Sequence, residues 1–184
     1  MMWDLPVSVN INGKEHPIRN DCDFRVVLDV ICALNDDELT KEEKIKCSLV
    51  IFYENVSEIV DLETAISEMF RIINGGSSQE EADEQGPKLM DWEHDFNQIA
   101  PPVSRVLGYD IRTPKKYTHW YTLLGGYQEI GECTFSTVVS IRSKRAKGQK
   151  LEKWELDYMR EHRRLVELPK KMTQEEQSIL NSDW

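Results

Sequence analysis

The stretch HWYTLLGGYQEIGECTF, residues 119–135, indicates the kind of fold that this chain adopts. Its large apolar side chains recur at intervals of three and four residues, at Trp120, Leu123, Leu124, Tyr127 and Ile130. This spacing predicts an amphipathic helix with one buried face. Gly125 and Gly126 each weaken a helix by about 1 kcal/mol relative to Ala, which is usual where two backbones approach closely.

The same stretch contains His119 and Cys133, whose side chains could also carry chemistry. A cysteine nucleophile needs a base within hydrogen-bond reach and a third group that orients the base. We expect these two residues on separate helices, and a free Cys beside an apolar stripe usually packs as a small hydrophobe. We therefore favour packing over catalysis. An enzyme that uses His94, His119 and Cys133 is the alternative.

The segment Trp92-Glu-His-Asp95 offers three possible metal ligands. Adjacent helical positions point in different directions, and a helical zinc site needs ligands at positions i and i+4. We interpret the segment as a surface carboxylate pair beside a partly buried His94, and we interpret His16 and His162 as solvated. The sequence therefore predicts no catalytic residues, no metal ion and no cofactor.

The N-terminal part predicts a β-hairpin followed by three helices. Val7, Val9 and Ile11 alternate with polar residues, and Asn12-Gly13 suits a type I′ turn before a returning strand, 14–18. Helix starts are predicted at three places, namely Asp21 or Asp23, the capping box Thr40-Lys-Glu-Glu43, and Asp61. The third helix is expected to bury a face made of Leu62, Ile66, Met69 and Ile73.

The C-terminal part predicts further helices. We expect a short helix from Leu89 that Pro101-Pro102 breaks or re-starts, and then an apolar turn, 103–107, that Gly108 ends. Further helices are expected from about Lys115, after a cap at Thr134, and from about Lys150 to Pro169. The fold class is therefore mainly α (α+β), with an N-terminal β-hairpin followed by helices and then a helical C-terminal part.

Residues 75–88, GGSSQEEADEQGPK, contain no large apolar side chain and predict a flexible acidic linker. We accordingly divide the chain into an N-terminal domain, 1–74, a C-terminal domain, 89–168, and a polar tail, 169–184. A short helix capped by Thr173-Gln-Glu-Glu176 is predicted in the tail.

Charge and composition limit the classes of function. The net charge of the 184 residues is −10, and residues 1–90 carry 8 Lys and Arg against 19 Asp and Glu. Such an acidic chain disfavours nonspecific binding to nucleic acid. Apolar runs are too short to span a membrane, and no secretory signal is recognisable, so we expect a cytoplasmic protein. The four cysteines form no C-x-x-C pair, so we expect them to be free thiols. The basic segment 142–150 is interpreted as a solvated helix end, with an acidic partner as second choice and nucleic acid as third.

Short motifs in both parts resemble those of one bacteriophage family. In the second part they are Trp92-x-His94-Asp95, Val106-Leu107-Gly108-Tyr109-Asp110-Ile111, His119-Trp120-Tyr121-x-Leu123-Leu124 and Ile141-Arg142-x-Lys144. In the first part they are Ile11-Asn12-Gly13-Lys14, Phe52-Tyr53 and Ile73-Asn74-Gly75-Gly76. Over residues 5–165 the chain resembles the bacteriophage tail-assembly chaperones, a tail-gene product family of Gram-positive siphophages and prophages.

This resemblance implies a non-enzymatic protein that binds the tape-measure protein and keeps it soluble until the tail tube polymerises around it. It also implies a location in the host cytoplasm and absence from the mature virion. Further partners would be the major tail protein and a second copy of the chain, with no nucleic acid and no membrane. A structural tail component is the alternative. The residues expected to contact a partner are Trp92, His119, Trp120, Tyr121, Leu124, Tyr127, Phe135, Arg142, Trp154 and Tyr158.

Overall fold

The computed structural model describes residues 4–77 and 86–169, and within them the chain is mostly helical. A two-stranded antiparallel sheet comes first, followed by the helices. The elements are β1 (Ser8–Ile11), β2 (Lys14–Pro17), α1 (Phe24–Asn35), α2 (Lys41–Phe52), α3 (Leu62–Ile73), α4 (Trp92–Leu107), α5 (Trp120–Gln128), α6 (Thr134–Ala146), α7 (Lys153–Glu161) and α8 (Arg163–Val166). Short 3₁₀ turns lie at Arg19–Cys22 and Val56–Glu58. The predicted fold class is confirmed.

The hairpin forms as its sequence predicts. Ile11 pairs with Lys14 across a two-residue turn, in which Asn12 and Gly13 have φ angles of 52° and 84°. Positive φ at both central residues is what a type I′ turn requires. The solvated position predicted for His16 is wrong, because His16 lies opposite Val9 and is only 5% exposed.

The predicted starts of the first three helices are confirmed by their side-chain caps. The Asp23 carboxylate accepts a hydrogen bond from the Arg25 backbone N–H, so Asp23 rather than Asp21 caps α1. At α2, the Thr40 and Glu43 side chains each bond the other's backbone N–H, which completes the capping box. Such caps satisfy backbone donors that a first helical turn leaves without partners.

The buried face of α3 differs from the predicted one. The face contains Ala65, Met69 and Ile72, whereas Leu62 is 49% exposed. The small Ala65 side chain lets Tyr53 approach the helix, and the Tyr53 hydroxyl donates to the Ala65 carbonyl at 2.9 Å. Close approach at Ala65 therefore decides the rotation of the helix, and Leu62 turns outward.

The predicted break of α4 at the two prolines is wrong. The helix continues from Trp92 through Pro101 and Pro102 to Leu107, and Gly108 ends it in the left-handed conformation. Proline has no N–H, so the Asn97 and Gln98 carbonyls lose their helical donors. The opposite face, with Ile99, Ala100 and Val103, is fully buried and holds the helix continuous.

Three predicted boundaries in the C-terminal part need correction. No helix begins at Lys115, whose φ is 61°, and α5 begins only at Trp120, after its cap His119. Cys133 rather than Thr134 is the N-cap of α6. The predicted long helix from Lys150 is two shorter ones, because the backbone at His162, with φ −117° and ψ 36°, is not helical.

The two predicted domains share one core. Phe24 of α1 stacks on Phe96 of α4, with ring centroids 6.2 Å apart, and the Trp120 indole donates to the Ile73 carbonyl at 3.0 Å. Buried residues from Val9 to Phe135 form one contiguous cluster, beside a small one of Val138, Ile141 and Val166. Residues 78–85 of the predicted linker and 170–184 of the predicted tail lie outside the described residues. The domain boundaries thus stay predictions.

Of the glycine pair Gly125-Gly126 in α5, Gly126 is the residue that packs closely against α4. A Cβ atom added there would lie 3.2 Å from Leu107 Cγ and 3.3 Å from Val103 Cγ1, whereas one added at Gly125 would meet nothing within 4 Å. Gly126→Val is expected to destabilise the fold by about 1–3 kcal/mol through overpacking. Gly125→Ala should stabilise it by about 0.5–1 kcal/mol through helix propensity. Urea unfolding checks both, and equal effects at the two glycines would contradict the packing argument.

Candidate functional site

The structure places most of the predicted partner-binding residues in the core. His119, Trp120, Phe135 and Arg142 are buried. Five are partly buried, namely Trp92, Tyr121, Leu124, Tyr127 and Tyr158. Trp154 alone in this set is mainly solvent-facing, with 57% of its surface exposed. In this conformation the aromatic face of α5 and α6 packs inside the molecule, and its role in binding a partner stays a prediction.

His119 has both ring nitrogens engaged in structural hydrogen bonds. Its Nδ1 accepts from the Tyr121 backbone N–H at 3.0 Å and caps α5. Its Nε2 lies 3.0 Å from the Pro6 carbonyl oxygen. A carbonyl only accepts, so Nε2 carries the proton and the ring is the neutral Nε2–H tautomer. His119 thereby ties the chain before β1 to the start of α5.

Burial lowers the pKa of His119 below its ordinary value of 6.5, against the opposing effects of the Pro6 carbonyl and the Asp23 charge. The unfolded chain therefore takes up a proton at a higher pH than the folded chain does. The free energy of unfolding is expected to fall as the pH drops below about 6.5, by at most about 1.4 kcal/mol per pH unit from this group. His119→Gln should have a shallower slope in denaturant titrations between pH 5 and 8. An unchanged slope would contradict this role of His119.

Cys133 acts as a helix cap in this fold. Its Sγ accepts from the Ser136 N–H at 3.5 Å, and the Ser136 hydroxyl accepts from the Cys133 N–H at 2.8 Å. The four cysteines are free thiols, and Cys22 is the buried one among them. Within residues 4–77 and 86–169, no group of three or more His, Cys, Asp or Glu residues could hold a metal ion.

Asp95 of α4 and Arg142 of α6 are both buried and face each other. Their side chains form a two-point ion pair, with Nη1–Oδ2 at 2.6 Å and Nη2–Oδ1 at 2.9 Å. The Asp95 carboxylate is fully buried, and the Arg142 side chain is 5% exposed. The sequence interpretation that placed Asp95 on the surface and Arg142 at a solvated helix end is therefore wrong.

All five N–H donors of Arg142 are used. Besides Asp95, the guanidinium donates to the carbonyls of Leu89, Leu165 and Val166, at 3.0, 2.7 and 2.8 Å. Asp95 also accepts from the Asp91 backbone N–H at 3.0 Å. A buried ion pair needs such extra bonds, because desolvation otherwise outweighs the attraction between the charges. Arg142 thus joins α6 to α4, to the segment before α4 and to the end of α8.

A second ion pair, between Lys144 and Glu155, joins α7 to α6. Lys144 Nζ lies 2.6 Å from Glu155 Oε1, and the Glu155 carboxylate is buried. The Glu155 side chain also accepts from the Glu152 N–H as part of the capping box of α7. The Lys144 bond holds the pKa of Glu155 below its ordinary value. Two residues of the basic segment 142–150, Arg142 and Lys144, therefore form ion pairs within the molecule.

Beside Arg142 lies an open groove of about 950 Å³, which we call the basic groove. It is lined by His94, Arg142, Arg145, Ala146, Arg163, Arg164, Val166, Glu167, Leu168 and Pro169. Arg163 pairs with Glu167 at 2.8 Å, whereas Arg145 and Arg164 have no ion-pair partner among the described residues. The lining thus combines two guanidinium groups that lack an ion-pair partner among the described residues with the apolar residues Ala146, Val166, Leu168 and Pro169.

Nine large apolar side chains of the described residues are exposed. Trp154 and Leu156 project from α7, and others are Leu5, Val7, Val50, Val60, Leu62, Val106 and Tyr117. Among the described residues, no helix is both long enough and apolar enough to cross a membrane. The basic groove and the exposed Trp154 are the two surface features that we consider as candidate binding sites.

A match to a family model places the chain in a class of phage proteins with a structural or assembly-related role. The matching family model is described as Bacteriophage Gp15 protein and covers residues 2–168. The chain belongs to this family. No curated protein and no solved structure matches it. The phage membership expected from the sequence motifs is thereby confirmed.

Proposed function

We propose that this protein is a tail-assembly chaperone that binds the tape-measure protein and keeps it soluble while the tail tube polymerises. The observation that carries the proposal is the match of residues 2–168 to a phage family with a structural or assembly-related role. Within that class, the motifs of residues 92–144 resemble those of tail-assembly chaperones. The protein would act in the host cytoplasm and be absent from the mature virion.

The described surface is compatible with a protein that binds a client reversibly. A holdase needs accessible apolar contacts on a charged body that stays soluble. Trp154 supplies a large accessible aromatic side chain, and the net charge of −10 favours solubility. The apolar contacts outside the core are small in area, so the proposal favours several weak contacts along a long client over one large interface.

Co-expression with the tape-measure protein tests the proposal. The tape-measure protein is expected to be soluble and to co-purify with this chain, and to aggregate when this chain is omitted. Co-expression with an unrelated soluble protein of similar size serves as the control for expression load. Equal solubility of the tape-measure protein with and without this chain would refute the chaperone role.

A structural tail component is the second candidate, because the family match allows both roles. Mass spectrometry of purified virions separates them. A chaperone leaves the particle before maturation and should be missing, whereas a structural component should be present in fixed proportion to the major tail protein. Finding this chain at such a fixed proportion would replace the chaperone proposal by the structural one.

A further inference from the structure

We infer that the basic groove is the client-binding site and that it receives an acidic segment of the tape-measure protein. This inference rests on the proposed function, which names the partner, and adds to it the surface and the chemistry of recognition. The groove is lined by residues of α4, the end of α6 and α8, among them the exposed Arg145, Arg163 and Arg164.

The charges around the groove favour a carboxylate-bearing occupant. Arg142 lines the groove, but all its N–H donors bond Asp95 and three backbone carbonyls. It therefore holds the surrounding elements in place and has no donor left for a ligand. Arg145 and Arg164 are exposed and have no ion-pair partner among the described residues. Guanidinium groups match carboxylates in a two-point geometry, and such charge complementarity gives specificity.

The apolar part of the lining favours a peptide over a small ion. Besides the arginines, the groove is lined by Ala146, Val166, Leu168 and Pro169. A volume of about 950 Å³ accommodates several side chains, which suits an amphipathic segment with acidic and apolar residues. Outside the groove the acidic residues of the chain repel such a segment, which directs it to this surface.

Nucleic acid is disfavoured as the occupant. Phosphate-backbone binding needs a long basic track, whereas residues 1–90 carry 19 acidic residues against 8 basic ones. Base stacking needs aromatic side chains in the groove, and its lining contains a single aromatic ring, that of His94. The occupant is therefore inferred to be protein.

Charge reversal at Arg145 and Arg164 tests the inference. Arg145→Glu/Arg164→Glu should weaken binding of the acidic tape-measure fragments at least about 10-fold, and Arg145→Gln/Arg164→Gln should weaken it less. The matched control is Lys150→Glu/Lys153→Glu, which changes the net charge equally at exposed residues that do not line the groove. Binding is measured by fluorescence anisotropy on overlapping fragments of the tape-measure protein, with circular dichroism to verify folding.

The outcomes separate the inference from the proposed function. If no fragment binds the wild-type chain, the proposed function fails. If fragments bind the wild type and the Arg145→Glu/Arg164→Glu variant equally, or if the lysine control weakens binding as much, the groove is refuted while the chaperone role stands. A bound acidic fragment should lose affinity when its Glu and Asp residues become Gln and Asn. Tighter binding of a single-stranded oligonucleotide than of every fragment would also overturn the inference.

Discussion

Replacing Arg142 by Met is expected to lower the free energy of unfolding by about 3–5 kcal/mol. The substitution keeps a long apolar side chain but leaves the Asp95 carboxylate buried without its counter-charge. It also removes the donors of three carbonyl groups, those of Leu89, Leu165 and Val166. Equilibrium unfolding in urea measures the effect, because the free energy falls linearly with denaturant.

Two control variants make the Arg142 result specific. Arg145→Met removes an exposed arginine one helical turn away and should change the stability by less than about 0.5 kcal/mol. The double variant Asp95→Leu/Arg142→Met removes both buried charges and should be more stable than Arg142→Met alone. A loss below about 1 kcal/mol in Arg142→Met would show that the ion pair does not hold these elements together.

Trp120→Ala is expected to cost about 3–5 kcal/mol, because it empties a large core position. Trp120 is 1% exposed, packs edge-on against Trp92 with ring centroids 5.4 Å apart, and donates to the Ile73 carbonyl. The indole therefore joins α5 both to α4 and to the end of α3. Trp120→Phe keeps most of the ring and removes the donor, so it should cost less.

The same substitution at Trp154 provides the matched comparison. Trp154 is 57% exposed, and Trp154→Ala should change the stability by no more than about 0.5 kcal/mol. Thermal unfolding followed by circular dichroism measures both variants. If the two substitutions cost the same, the assignment of Trp120 to the core would be contradicted. With a client present, Trp154→Ala also tests whether the exposed indole contributes to binding.

The spacing of Asp95 and Arg142 from neighbouring apolar residues already indicates that both charges are buried. Asp95 lies three residues after Trp92 and four before Ile99, in phase with the buried face of α4. Arg142 lies seven residues after Phe135, in phase with the buried face of α6. Two opposite charges on two apolar stripes indicate a buried pair. The basic cluster at residues 142–150 suggested a solvated helix end because basic side chains favour the C-terminal end of a helix. Helical phase nevertheless places Arg142 on the buried face of α6.

Local sequence accounts for the elements whose formation depends on nearby residues. The Asn12-Gly13 turn, the Thr40 capping box and the Gly108 terminus were all predictable, since each is made by bonds within a few residues. Elements whose limits depend on distant contacts were not. The continuity of α4 through Pro101 and the rotation of α3 depend on which faces become buried.

Sequence patterns alone predict the mainly α fold class, the hairpin and, through short motifs, membership of a phage family. The apolar spacing fixed which side chains had to leave water, because burial follows helical period. Where those faces meet depends on packing between elements distant in sequence, and this packing places His119, Trp120 and Phe135 inside the molecule. It also set Asp95 against Arg142 and left Arg145 and Arg164 at an open groove, because charges distant in sequence are paired or left free by packing alone.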